Sequence, residues 1–219
     1  MIIRVPSTTT EFIVFLIDDD PAILKKPVCK LLQAAGYQTK AYQSAQAFLA
    51  EHDASIPGCA VLDHATPELN GLDVQEALAR QGNHRPVIFL TDRGTVAESV
   101  KAMKAGAVDY LLKPVDKVEL LRAISSAEER DKTQRDVEAR NKVVLQRLAK
   151  LTPRERETLE LMHKGLLTKQ IASVMGVGEK TIRVHRARLY KKMGARTAEL
   201  VRMTARQIIV SDTTIAGGP

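Results

Sequence analysis

The sequence predicts an α/β domain followed by an all-α domain: a five-stranded parallel, doubly wound sheet, a long linker helix, and a helix-turn-helix unit. Three observations carry this expectation. Short apolar runs alternate with helical spacing through the first half. A charged stretch free of Pro and Gly follows, and the rest shows only helical patterns separated by short turns.

In the first half, 12-FIVFLI-17, 59-CAVLD-63 and 87-VIFL-90 have the apolar character of strands buried on both faces, and 110-YLL-112 is a shorter strand of the same kind. The segment 38-QTKAY-42 suits a polar-edged strand. Helical spacing fills 21 to 35, 71 to 80 and 96 to 105, giving five βα units in about 115 residues. Pro27 falls inside the first helical stretch, where it removes a backbone hydrogen bond and is expected to kink or interrupt the helix. From Lys117 to Leu148 the last helix of the sheet domain is expected to run on as a connector. Val137, Asn141, Val144, Leu148 and Leu151 form a short apolar seam on it, which either rests on a domain or pairs two copies of the chain. The predicted spans are 11–130 for the α/β domain, 131–149 for the linker helix and 150–210 for the helical domain. The Gly-rich end, SDTTIAGGP, is expected to be mobile.

Composition narrows the function classes. No apolar run approaches the ~20 residues that span a bilayer, and the N-terminus lacks the apolar core of a signal peptide, so a cytoplasmic protein is expected. Cys29 and Cys59 have neither a second cysteine pair nor nearby histidines at metal-ligand spacing, and read as buried small hydrophobes. Charge is uneven. Residues 1 to 130 hold 14 Lys and Arg against 17 Asp and Glu, a net −3, whereas 131 to 219 hold 19 against 9, a net +10. The basic half points to a polyanionic partner, nucleic acid ahead of anionic membrane.

The acidic half has a different logic. Ligands of an open parallel sheet bind beyond the carboxyl ends of its strands, and four of those ends carry Asp18-Asp19, Asp63, Thr91 and Lys113. Carboxylates within about 4 Å of one another repel by several kcal/mol per pair at an effective dielectric near 20. A hard, oxygen-liganded Mg2+ among them relieves this and can also accept a phosphoryl oxygen. Lys113 supplies a fixed positive charge and Thr91 a hydroxyl donor. A single Asp here would be an ordinary helix cap, and Asp20 is expected to be one; an acid pair, a lone acid, a Thr and a Lys at four strand ends are not explained that way.

The segments 14-VFLIDDDPAI-23, 61-VLDHATPELNGLD-73 and 87-VIFLTDRGTVAESVKAMKAGAVDYLLKP-114 closely resemble the receiver domains of two-component response regulators, over roughly residues 11 to 130. The resemblance implies that Asp18 and Asp19 hold Mg2+, that Asp63 accepts phosphate from a histidine kinase, and that the backbone carbonyl of Ala65 completes the metal ligands. It further implies that Thr91 and Lys113 grip the phosphoryl group, that Tyr110 turns inward when they do, and that Lys113-Pro114 is a cis bond. Asp92 departs from the family: it stands where a small residue normally follows the Thr, and is expected either to slow phosphorylation or to point to solvent.

The second half carries ordered helix signals. Thr152, Pro153 and Glu155 make a cap with Pro in the first turn, and Gly165 closes that helix. Thr168 opens 169-KQIASVM-175, and Gly176 and Gly178 frame a turn before a helix from Glu179 to Met193. On that last helix Ile182, Leu189 and Met193 form the inward stripe, which leaves Arg183, Arg186, Arg188, Lys191 and Lys192 for the outward face. A basic helix after such a turn suits the major groove, flanked by phosphates on both sides. The segment from about 150 to 205 strongly resembles the helix-turn-helix of the NarL/FixJ class, shared with the LuxR family. By that resemblance Lys169 and Lys180 touch phosphates, Arg183, Val184, Ala187 and Arg188 face the groove, and Thr181 and Lys191 complete the DNA-binding set. Residues from about Thr197 onward match a helix by which such domains dimerise.

These features imply a regulator, not an enzyme, with a histidine kinase, promoter DNA and a second copy of the chain as partners, RNA polymerase as a further candidate contact, and no membrane. An aspartate that takes phosphate also serves haloacid-dehalogenase-like phosphatases, but those need a general acid two residues on, where this chain has Ala65. A small-molecule-gated or phosphorylation-independent helix-turn-helix regulator is the alternative. A ligand domain would want an aromatic pocket, whereas aromatics make up 4% of the chain.

Overall fold

Alternation along the strands sorts the core of the first domain into two layers, one on each face of a parallel sheet. The computed structural model describes residues 12–22, 26–63, 71–92 and 94–205; Ala65, residues 1–11 and the Gly-rich end lie outside these. Two compact units divide the chain at Arg135 and Asp136. In the first, strands β1 (Ile13–Ile17), β2 (Gln38–Tyr42), β3 (Gly58–Asp63), β4 (Val87–Thr91) and β5 (Asp109–Leu112) order as β2-β1-β3-β4-β5, all parallel. β3 and β4 are buried throughout, as their unbroken apolar runs require, while the edge strand β2 exposes Gln38 and Lys40 and buries Tyr42.

Five helices cover the sheet: α1 (Pro27–Ala34), α2 (Ala45–Glu51), α3 (Gly71–Arg80), α4 (Val96–Lys104) and the first part of α5 (Lys117–Ala149). Val14, Leu16, Cys59, Val61, Ile88 and Leu90 form one core layer with Cys29 and Leu32 of α1 and Leu120, Ala123, Ile124 and Ala127 of α5. Phe15, Ile17, Ala60, Leu62, Val87 and Phe89 form the other with Phe48 of α2, Val74 and Leu78 of α3, and Ala102 of α4. Both cysteines are free and buried, and burial pushes the Cys59 thiol pKa well up.

Two helices differ from the sequence expectation. Pro27 does not kink α1: it is the first helical residue, where its missing N–H costs nothing and its fixed φ suits the helix, and Lys26 is the N-cap. α2 was not among the expected helices. Its seven residues are too few to show a period, and its one local mark is Ser44, whose hydroxyl accepts from the Ala47 N–H at 3.1 Å. Asp20 is not the cap of α1, whose N-cap is Lys26; among the described residues it accepts from the Ala22 N–H at 2.8 Å within a turn.

α5 contributes to both units. In the first, Arg135 pairs with Asp131 at 2.8 Å and donates to the carbonyls of Ala54, Ser55 and Ile56 at 3.0, 2.9 and 2.7 Å. Arg85 donates to two of the same loop's carbonyls, those of Asp53 and Ile56. In the second unit the last three residues of the expected apolar seam rest on their own domain: Val144 and Leu151 are buried and Leu148 packs against the same core, while Val137 and Asn141 are half-buried outside it.

That core is built by α6 (Pro153–His163), α7 (Thr168–Met175), α8 (Glu179–Met193) and a helical segment at 197–205. Thr152 and Glu155 form a reciprocal capping box on α6. The Gln170 side chain accepts from the Leu167 N–H at 2.8 Å, so Thr168 is the first residue of α7 and not its cap. Gly176 ends α7 at φ +66°, a conformation that only a residue without Cβ adopts freely, and so sets the turn into α8. Arg147 donates to the Met193 carbonyl at 2.6 Å, satisfying the C-terminus of α8.

Candidate functional site

Parallel register brings the strand ends together. Ile17 is level with Leu62, Asp63 with Leu90, and Thr91 with Leu112, so Asp18, Asp63, Thr91 and Lys113 meet at the carboxyl edge of the sheet. Asp18, Asp63 and Thr91 are buried, at 7%, 8% and 2% exposure. Buried carboxylates need partners, and each has a lysine. The Lys113 Nζ lies 2.5 Å from Asp63 Oδ2 and 3.3 Å from Asp92 Oδ2. Burial alone would lower the Lys113 pKa; the hydrogen bonds and charges of Asp63 and then Asp92 outweigh it and hold it above the usual lysine value. Asp92 is exposed, as one of its two expected outcomes had it, yet it shares this ammonium.

Lys26 is the second cation. Its Nζ is 2.6 Å from Asp18 Oδ2 and 3.4 Å from Asp20 Oδ2, while Asp18 Oδ1 accepts from the Asp20 N–H at 2.9 Å. Burial again opposes the charge, and Asp18 followed by Asp20 more than offsets it, raising the Lys26 pKa. Leu16, Asp18, Lys26, Cys29, Asp63 and Lys113 are among the residues lining a cavity of about 40 Å3 at this edge. Two buried carboxylates on one small cavity form a hard oxygen donor set of the kind Mg2+ takes. Asp19 is exposed, and among the described residues no group of three acids, histidines or cysteines stands gathered as a metal cage, with Asp18 and Asp63 each held by a lysine. Lys26 was not picked out by sequence reasoning. Its signal was a lysine pair just after the acid triplet, interpretable only once the start of α1 is known.

Tyr110 lies half-buried against Phe89, ring centres 5.9 Å apart, with its hydroxyl turned to Thr91. Burial raises the phenol pKa, and the neighbouring Thr91 hydroxyl offsets this in part. Gly94 makes room for that ring: a Cβ there would stand 2.8 Å from Tyr110 Cε1 and 3.1 Å from Thr91 Cγ2. Lys113-Pro114 is cis.

The basic helix α8 sorts its side chains by position. Ile182, Leu189 and Met193 are fully buried. Opposite them Lys180, Arg183, Val184, Ala187, Arg188 and Lys191 follow one another at helical spacing and are all exposed, as are Thr181 and, on α7, Lys169. Arg183 makes only a surface pair with Glu179 at 3.4 Å, worth about 0–1 kcal/mol and easily exchanged.

Two of the five cations expected to face outward do not. Arg186 donates to Thr168 Oγ1 at 2.6 Å and to the Tyr190 hydroxyl at 2.8 and 3.1 Å, tying α8 to the start of α7. Lys192 donates to the Lys150 carbonyl at 3.0 Å and to Glu155 Oε2 at 2.6 Å. Glu155 is 2% exposed; burial raises its pKa, but Lys192 and the Thr152 backbone outweigh that and hold it below the usual value. The Arg186 placement had a sequence signal: it lies four residues after Ile182 and three before Leu189, beside the buried stripe.

Residues 14–125 match the model of the response regulator receiver domain, and residues 149–204 match that of the bacterial regulatory proteins of the luxR family. The chain belongs to the response regulators. Relatives of this response regulator include nodulation protein W of Bradyrhizobium diazoefficiens, 38% identical over 197 residues that cover 90% of the chain and 86% of that protein. The transcriptional regulatory protein FixJ of Azorhizobium caulinodans is 38% identical over 194 residues, 87% of the chain and 90% of FixJ. Among solved structures, the response regulator StyR superposes with a TM-score of 0.75 at 33% identity, covering 90% of this chain and 99% of StyR. Full-length FixJ from B. japonicum superposes at 0.53 and 35% identity, covering 90% and 98%. This response regulator therefore joins a receiver to a LuxR-type DNA-binding domain, in a family of transcriptional regulators. Among its described residues no helix is long and apolar enough to cross a membrane.

Proposed function

We propose that a histidine kinase phosphorylates this response regulator on Asp63 and that the modification controls promoter binding by α8. The observation that carries the reading is the placement of Asp63: buried at the end of β3, bonded to Lys113, with Thr91 at the neighbouring strand end and Tyr110 against it. A carboxylate oxygen of Asp63 attacks the phosphorus of the kinase's phosphohistidine; the P–N bond breaks and the imidazole leaves with the electron pair. Lys113 then moves from the Asp63 carboxylate to a phosphoryl oxygen, Thr91 donates to another, and Tyr110 follows Thr91 inward.

Asp18, Asp19, Asp63 and the carbonyl of Ala65 are the proposed ligands of Mg2+, whose charge, when bound, offsets those of the acids and of the incoming phosphoryl oxygens. We assign 11–130 to the receiver, 131–149 to the linker helix and 150–210 to the DNA-binding domain. Lys169 and Lys180 hold phosphates, Arg183, Val184, Ala187 and Arg188 face the bases, and Thr181 and Lys191 flank them. The protein works in the cytoplasm, turns over no outside substrate, pairs with a second copy on DNA and meets RNA polymerase there.

The test is chemical. Acetyl phosphate with Mg2+ adds one acid-labile phosphate to the full-length protein, and Asp63→Asn takes up none. Equal labelling of Asp63→Asn removes Asp63 as the acceptor, and labelling of the wild type without divalent metal removes the role given to Asp18 and Asp19.

A further inference from the structure

We propose that Lys26 is a built-in competitor for the metal at the acidic site: its ammonium holds Asp18 until a divalent cation displaces it, so Lys26 sets how tightly the site binds metal. The inference rests on the reading of Asp18 and Asp19 as metal ligands.

Both oxygens of Asp18 are engaged. Oδ1 accepts the Asp20 N–H at 2.9 Å, and Oδ2 receives Lys26 Nζ at 2.6 Å. A cation binding Asp18 through Oδ2 must take the place of that ammonium, because two positive centres within a few ångströms of one carboxylate oxygen repel strongly in a partly buried site. Lys113 is not the equivalent group: it sits on Asp63 and Asp92, where the phosphoryl group would arrive.

The chain aims Lys26 at this point through its backbone. Pro27 begins α1, and the residue before a proline is driven to extended geometry; Lys26 has φ −63° and ψ 150° and forms the N-cap. From that position a four-carbon stem reaches Asp18 eight residues earlier, and Asp20 offers a second carboxylate at 3.4 Å. The Lys26 side chain is 32% exposed against 10% for Asp18, so the ammonium can withdraw to water while the carboxylate stays.

The test uses the full-length protein and Mn2+ as the probe, with free Mn2+ counted by electron paramagnetic resonance, so that binding is read apart from phosphorylation. Lys26→Met, which keeps the apolar stem, is expected to bind Mn2+ about 3- to 10-fold more tightly than the wild type, and Lys26→Gln likewise. Lys26→Arg retains the competing charge and stays within about twofold of the wild type. Asp18→Asn loses most of the binding. If Asp18→Asn loses binding while Lys26→Met and Lys26→Gln match the wild type, the competition is wrong and the metal site stands. If Asp18→Asn binds Mn2+ as the wild type does, or the wild type binds none, the metal reading fails and the competition fails with it.

Discussion

Arg186→Met separates a cation that supports the DNA-binding fold from one that touches DNA. Arg186 gives up bonds of 2.6 Å to Thr168 and of 2.8 and 3.1 Å to Tyr190. A hydrogen bond to a charged group contributes about 1.5–3 kcal/mol net. The Tyr190 and Thr197 hydroxyls remain bonded to each other at 2.6 Å, so the Tyr190 hydroxyl is not orphaned and the expected cost is that of one such bond, about 1.5–3 kcal/mol. Amide hydrogen exchange at Ile171, Ile182 and Leu189, all buried in the shared core, should therefore speed up by about 10- to 100-fold. Operator binding weakens with the lost stability, but the slope of log affinity against log salt stays as in the wild type, because no phosphate contact is removed. Unchanged exchange together with a slope shallower by about 0.9 would show that Arg186 faces the DNA and that its internal bonds are incidental.

The other cations of the interface divide by the same measurement: Lys169→Ala and Lys180→Ala should each shallow the salt slope by about 0.9 on any DNA. Arg183→Ala should instead flatten the preference at one base pair by about 1–3 kcal/mol; equal weakening on operator and scrambled DNA would remove it from the groove-reading face. Glu155→Gln loses the charge of the Lys192 pair, while its amide oxygen can still accept the Thr152 N–H of the capping box, and should cost about 1–3 kcal/mol at neutral pH in urea unfolding. Because the folded Glu155 pKa lies below its unfolded value, its contribution is complete above the ordinary Glu range near ~4.3 and is lost as pH falls through the folded value; the Gln variant should lack that acid dependence, and an unchanged acid limb would contradict the pairing. Asp92→Ala removes a second carboxylate from Lys113 and a like charge from the approach to Asp63, so acetyl phosphate should label it about 2- to 5-fold faster; an equal rate would make Asp92 a bystander.

Much of the fold was legible because its signals are local. Unbroken apolar runs marked β3 and β4, a polar edge marked β2, and Gly178 followed by Glu179 placed the start of α8. The convergence of Asp18, Asp63, Thr91 and Lys113 was legible too, since a parallel sheet must gather its strand ends at one edge. What escaped depends on geometry finer than composition. Pro27 looks like a helix breaker until its position is known to be the first helical residue, and only then does Lys26 face Asp18. Arg186 and Lys192 were counted as outward because they are charged, yet their long side chains reach internal acceptors from the flanks of the buried stripe. α2 is too short for periodicity to speak, and Ser44 alone does not announce it.

The coupling of the two activities is tested most directly by operator affinity of the full-length protein with and without Mg2+ and acetyl phosphate, on sites selected from genomic DNA. For the wild type the phosphodonor should tighten binding by about 5- to 150-fold, the usual range of coupling between two sites. Thr91→Ala should accept phosphate yet respond little, and Asp63→Asn should not respond at all. An Asp63→Asn protein whose affinity rises with phosphodonor as much as the wild type's would contradict control through Asp63.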